Sequence, residues 1–190
     1  MLLPWRDLAP GNGPVINTSL TVRETKELQR IVRSVEYSPA SMPEVLEVGS
    51  AFGYSTVALA LAGARVTAVD PHVQLASYEQ MLANLGAYGV AHLVDIRRGD
   101  SRQILPALLE EGRSFDLVWI DGDHAADMVT HDVGWALKLV KDGGILALHD
   151  LDEGTCPGVR QAVDAWRQPD YTIDTLAVYV EPNARKDVAA

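Results

Sequence analysis

Apolar and polar positions along this chain fall into blocks whose spacing changes at regular intervals. From Ser19 onward, Leu20, Val22, Leu28, Ile31, Val32 and Val35 recur at helical spacing, which predicts a helix ending before Pro39. Beyond Met42–Pro43, short apolar runs alternate with longer mixed ones. The short runs Val45–Val48, Arg65–Val69, His92–Arg97, Phe115–Ile120 and Ile145–Leu148 are predicted strands. Between and after them, Tyr54–Ala62, Val73–Leu85, Arg102–Glu111, Ala125–Val140 and Gly158–Trp166 are predicted helices. Gly63, Gly86, Gly112 and Gly143–Gly144 punctuate the series, and Tyr171–Val180 holds the last β material.

Strand followed by helix, repeated along the chain, implies an α/β fold with a parallel sheet covered by helices on both faces. The strands read as continuous apolar runs, as burial on both faces requires. Right-handed crossovers then place all the strand C-terminal ends along one edge, where ligands bind at the point of strand-order reversal. The expected organisation is one domain over residues 1–190. It comprises an arm and helix (1–38), a core (44–181) and a fraying tail (183–190).

Composition narrows the function classes. The 190 residues carry a formal charge of -10, with 47% hydrophobic positions and a sequence pI near 4.8. An acidic chain of this kind is a poor fit to non-specific binding of nucleic acid or anionic membrane. Cys156 is the one cysteine, so no disulfide forms within the chain, and a reducing cytoplasm is the expected location. The N-terminus lacks the basic segment and apolar run of a signal peptide, and no stretch approaches the ~20 apolar residues of a membrane helix.

The polar residues cluster where the edge rule expects a site. Glu47, Gly49 and Ser50 end the first strand, and Asp70 ends the second. Gly99, Asp100 and Ser101 follow the third, Asp121–His124 the fourth, and His149 and Asp150 the fifth. In the segment Glu47–Ser55, Gly49 and Gly53 permit a tight turn and close backbone approach to a ligand. Ala51 stands where a dinucleotide fingerprint needs its second glycine, so the loop is a poor pyrophosphate cradle. An acid beside free helix N–H groups suits S-adenosylmethionine, which carries a sulfonium, an ammonium and a carboxylate. Asp70 can accept the hydroxyls of a ribose, and equally cap the turn at Pro71. Asp100 can accept from an adenine amino group or cap the next helix, and His72 borders that region. Asp121, His149 and Asp150 offer two carboxylates and an imidazole to a divalent cation, or are loop residues without a metal. His124, at the crevice mouth, is a candidate general base.

Five segments resemble the cation-dependent O-methyltransferases, which include the caffeoyl-CoA and catechol enzymes and a broad bacterial branch. They are E-x-G-x-x-x-G-Y-S (47–55), V-T-A-V-D (66–70), G-D-S (99–101) with L-P-A-L (105–108), F-D-L-V-W-I-D-G-D-H (115–124) and G-G-I-L-A-L-H-D (143–150). The resemblance implies a Rossmann-like class I methyltransferase fold, with a seven-stranded, mostly parallel sheet and an antiparallel last strand. It implies S-adenosylmethionine as cofactor, bound around Glu47, Gly49, Ser50, Ala51, Gly53, Ser55, Asp70, Pro71, His72, Gly99, Asp100, Ser101 and Asp121. The family's metal ligands correspond to Asp121, His149 and Asp150, with His149 in place of an aspartate and Asp150 in place of an asparagine. His124 aligns with a lysine that acts as base in some members, so Asp121 and His124 are the implied catalytic pair. The implied acceptor is a small-molecule hydroxyl compound, the implied extra cofactor a divalent cation (Mg, Mn or a softer metal), and the assembly considered is a homodimer. Metal-independent transfer through His124, a nucleotide-binding dehydrogenase and a non-catalytic cofactor-binding module are the competing readings.

Overall fold

The computed structural model describes residues 14–35, 42–152 and 154–180. The expected tail, 183–190, and most of the expected arm lie outside them. The elements in chain order are α1 (Val22–Ser34), β1 (Glu44–Val48), α2 (Tyr54–Leu61), β2 (Arg65–Asp70), α3 (Ser77–Ala87), β3 (Val94–Arg98) and α4 (Ser101–Glu110). They continue with β4 (Phe115–Ile120), α5 (Ala126–Leu139), β5 (Val140–Leu148), α6 (Pro157–Trp166), β6 (Tyr171–Ile173) and β7 (Leu176–Val180).

The strands form one seven-stranded sheet in the order β3-β2-β1-β4-β5-β7-β6. β1 to β5 are mutually parallel, and β7 runs antiparallel to both of its neighbours. The sequence expectation of a mostly parallel sheet with an antiparallel last strand is met. Two cores result, one on each face. Leu28, Val57 and Met81 from α1, α2 and α3 fill one, and Leu105, Val133 and Val163 from α4, α5 and α6 fill the other. Each such side chain contributes about 1.5–3 kcal/mol by leaving water. Among the described residues no helix is long and apolar enough to cross a membrane.

Three boundaries differ from the sequence pattern, each for a local reason. The helix expected from Val73 begins at Ser77, because residues 71–76 form a loop. The Asp70 carboxylate accepts the His72 N–H at 2.5 Å, and His72 and Ala76 adopt left-handed backbone angles. Val73 and Leu75 are left 86% and 94% exposed, Val73 in the crevice wall. The strand expected from His92 begins at Val94, after a single 3-10 turn at Ala91–Leu93. The pair Gly143–Gly144 does not separate helix from strand. β5 already starts at Val140, and the glycines absorb a bulge where its register against β4 shifts.

Candidate functional site

The strand order reverses between β1 and β4, and the site is built there. The Gly49 N–H donates to Val69 O and the Asp121 N–H to Val48 O, both at 2.8 Å, so the loops leaving β1 and β4 continue the ladder side by side. Gly49 has φ +95°, and a Cβ on it would lie 2.1 Å from the Asp121 carbonyl oxygen. No other residue fits this close approach. Asp70 ties the β1 loop to β2, its Oδ2 accepting the Ala51 N–H at 2.8 Å.

Two chambers open along the edge. The first, about 470 Å³, is walled by Asp70, Pro71, Gly99, Asp100, Ser101 and Asp121, among others. The second, about 390 Å³, is walled by Ser50, Tyr54, Ser55, His124 and Asp150 and by Asn17–Ser19 from the segment before α1. Gly49, Ala51, Gln74, Asp121 and Gly122 belong to both walls, so the chambers meet at these residues. Asp100 caps α4, accepting the Arg102 N–H at 2.9 Å, and its hydrogen bonds from the Arg102 guanidinium and amide hold its carboxyl down at about 2.

At the second chamber's base lies a charged network around His149, whose side chain is 2% exposed. His149 Nδ1 faces Asp121 Oδ1 at 3.1 Å and Asp150 Oδ2 at 3.2 Å. Its Nε2 faces Glu24 Oε2 at 3.4 Å and Thr175 Oγ1 at 3.3 Å. His124 Nε2 reaches Asp150 Oδ2 at 2.9 Å, which raises the His124 pKa above its ordinary value. Burial alone would lower the His149 pKa, but Asp121, Asp150 and Glu24 together push it up to about 12. Glu24 shows the converse. Burial opposes its charge, yet His149, the Thr21 N–H and Thr175 hold its carboxyl at about 2. Burial raises the Asp121 pKa, while hydrogen bonds from both histidines hold Asp150 well below the usual carboxylate range.

One ligand atom each from Asp121, His149 and Asp150 lies within 4.8 Å of the others, and both carboxylates open onto the second chamber. This donor set fits a divalent cation. Two carboxylate oxygens facing one ring nitrogen need positive charge between them, which a proton supplies singly and a divalent cation doubly. Asp150 adopts φ +59°, a conformation that aspartate and asparagine tolerate better than most residues.

Three expected cofactor residues sit behind the chamber walls. Glu47 is fully buried beneath Ser55, with its carboxylate accepting from the Ser55 and Thr56 hydroxyls. Burial pushes its pKa up to about 7. His72 turns inward, with Nδ1 3.2 Å from Ser77 Oγ and its ring edge-on to Tyr78. Gly53, at φ +83°, is the N-cap of α2 and packs against Met81.

Residues absent from the sequence reading complete the site. Glu24 and Thr175 bind His149 from α1 and the β6–β7 turn. Asp132 of α5 is buried in the first chamber's wall, 3.0 Å from His131 Nδ1. A Cβ on Gly158 would lie 2.2 Å from the His124 carbonyl oxygen, so α6 sets the height of the His124 loop. Cys156 lies with its sulfur within 4.8 Å of ligand atoms of His124 and Asp150. The Thr21-x-x-Glu24 capping box was the one local signal for Glu24, and it reports the helix start rather than the site.

A doubly wound sheet with this strand order, an acid closing β2 and a glycine-walled crevice at the reversal defines the class I methyltransferase fold. Residues 46–151 match the family model described as a methyltransferase domain, and the chain belongs to that family. It is 30% identical over 155 residues to a catechol O-methyltransferase of Niastella koreensis, covering 80% of this chain and 65% of that one. It is 35% identical over 109 residues to a caffeoyl-CoA O-methyltransferase of Zea mays, covering 54% of this chain and 41% of that one. The chain thus spans less than two thirds of the length of either relative. Among solved structures it resembles the O-methyltransferase TomG of Streptomyces achromogenes, involved in tomaymycin synthesis and solved in complex with S-adenosylmethionine. That match has a TM-score of 0.67 and 25% identity, covering 85% of this chain and 81% of that one.

Proposed function

We propose that the chain is an S-adenosylmethionine-dependent O-methyltransferase acting on a hydroxyl of a small molecule. The observation that carries this reading is the junction of the two chambers. Gly49, Ala51, Gln74, Asp121 and Gly122 wall both, while His124 and the Asp150 carboxylate stand at or beside the junction on the second side only. A cofactor with its nucleoside end in the first chamber would thereby reach across the junction with its methionyl end, toward an acceptor in the second.

In this reading Asp70 accepts the ribose hydroxyls, Pro71 and Gly99 flank the base, and Asp100 and Ser101 meet the adenine edge, with His72 stiffening the loop from behind. Gly49, Ser50, Ala51 and Ser55 receive the methionyl end, with Gly53 shaping the turn and Glu47 held under Ser55. S-adenosylmethionine, when bound, would supply an electrophilic methyl group to the acceptor oxygen, with the sulfur keeping the electron pair of the broken carbon–sulfur bond. His124 receives the acceptor's proton, and Asp150 orients the imidazole and stabilises the imidazolium that forms. Asp121, His149 and Asp150 would hold a divalent cation, whose contribution is to favour the ionised form of the acceptor hydroxyl. Positioning of the two reactants across the shared wall supplies much of the rest.

The reading is tested with purified protein, titrated calorimetrically with S-adenosylmethionine and, separately, with NAD. Binding of the former is expected, and preference for NAD would overturn the assignment. With a catechol-type acceptor, His124→Gln is expected to lower kcat about 10²–10⁴-fold while the cofactor Kd stays unchanged.

A further inference from the structure

The network around His149 contains a partner that neither strand end supplies. Glu24 comes from α1, is 1% exposed, and lies 125 positions before His149 in the chain. Its Oε1 accepts the Thr175 N–H at 2.9 Å and the Thr175 hydroxyl at 2.8 Å. Its Oε2 accepts the Thr21 N–H at 2.7 Å and faces His149 Nε2. The carboxylate is therefore fixed from three sides before it meets the ring. A proton on Nε2 is donated to Glu24, and the proton on Nδ1, which faces Asp121 and Asp150, is the one a bound cation would displace to solvent. Trp119 packs edge-on against the ring at 5.7 Å between centroids, which blocks rotation.

We propose that Glu24 is the positioning residue that makes His149 Nδ1 a cation ligand, and that the resulting set of one imidazole and two carboxylates prefers Mn, Fe, Co, Ni or Zn to Mg. The proposal rests on the cation site of the methyltransferase reading and deepens it. Two physical arguments support it. A ligating histidine needs its second nitrogen bonded to an acceptor to fix its tautomer and orientation, and a buried carboxylate is the strongest such acceptor. Mg²⁺ favours an all-oxygen shell, whereas imidazole nitrogen suits the later divalent metals. Histidine at position 149 thus changes the hardness of the site as well as its charge.

The test uses the full chain stripped of metal, without cofactor or acceptor, titrated with Co²⁺ and with Mg²⁺. Calorimetry gives the affinities, and the visible spectrum of bound Co²⁺ reports nitrogen ligation. One equivalent of Co²⁺ is expected to bind at least about tenfold more tightly than Mg²⁺. Glu24→Gln keeps the shape and one accepting oxygen, enough for either Thr175 or Thr21 but not both, and removes the charge facing His149; it is expected to weaken Co²⁺ about 10–100-fold. His149→Asp is expected to restore an all-oxygen set and shift the preference toward Mg²⁺. Thermal unfolding of the stripped proteins identifies a variant that fails to fold, in which case the wild-type and His149→Asp preferences decide. The proposal is overturned if millimolar Co²⁺ does not bind, if Mg²⁺ binds as tightly, or if folded Glu24→Gln keeps the wild-type Co²⁺ affinity. Because S-adenosylmethionine binding is measured separately, each of these outcomes leaves the methyltransferase reading standing.

Discussion

Replacing Glu47 with glutamine isolates the cost of a carboxyl group sealed in the sheet. Glu47 is 0% exposed and hydrogen-bonded by Ser55 and Thr56, and burial raises its pKa from 4.5 to about 7. Between those values the folded chain keeps a proton that the unfolded chain releases. Stability therefore falls as pH rises through this window and levels off above about 7. At about 1.36 kcal/mol per pH unit, the step from 4.5 to about 7 amounts to about 3 kcal/mol. Glutamine has no proton to lose, so the variant escapes the fall. It is disadvantaged by about 1 kcal/mol, because its amide brings two N–H donors into a pocket where the protonated carboxyl brings a single O–H. Glu47→Gln should then be about 1 kcal/mol less stable than wild type near pH 4.5 and about 2 kcal/mol more stable near pH 8. The latter corresponds to a Tm higher by about 4–8 °C for a chain of this size. Thermal or urea unfolding of both proteins across that range measures the difference directly. A gap between variant and wild type that does not change with pH would refute the reasoning.

Two further substitutions probe the walls. Gly158→Ala places a Cβ against the His124 carbonyl and the Ala126 N–H, so the His124 loop must move. Turnover is expected to fall by up to about 10²-fold in steady-state assays, with stability reduced by about 1–3 kcal/mol. Asp70→Asn keeps the shape of the side chain, but its amide cannot accept from both the Ala51 and His72 N–H groups. Calorimetric affinity for S-adenosylmethionine should weaken about 10–100-fold, and an unchanged Kd would remove Asp70 from the ribose site.

Most of the sheet was legible because β1, β2, β4 and β5 are apolar runs bounded by turn residues, and that pattern survives any local rearrangement. The loop at 71–76 was not, because Val73 and Leu75 suggest burial yet stand exposed, Val73 beside the crevice. No local pattern distinguishes a residue packed in the core from one held out beside a crevice. The strand-end acids were legible for the same topological reason as the sheet. Glu24 was not, because its partners His149 and Thr175 lie 125 and 151 positions away, and a glutamate in a helix is ordinarily solvated. Glu47 shows the reverse failure. Its place at a strand end suggested direct ligand contact, and only the packed structure shows hydroxyls standing between it and the crevice.

The Glu24–His149–Thr175 contact also has a temporal consequence. A chain emerging from the ribosome acquires the first chamber's walls by Asp132, but the second chamber's ionic floor needs His149 and the hydroxyl of Thr175. A product cut short before the last strand pair would lack Thr175 and also the residues Leu176–Tyr179, which both cores bury. The second chamber is thus complete only once the final strands have joined the sheet.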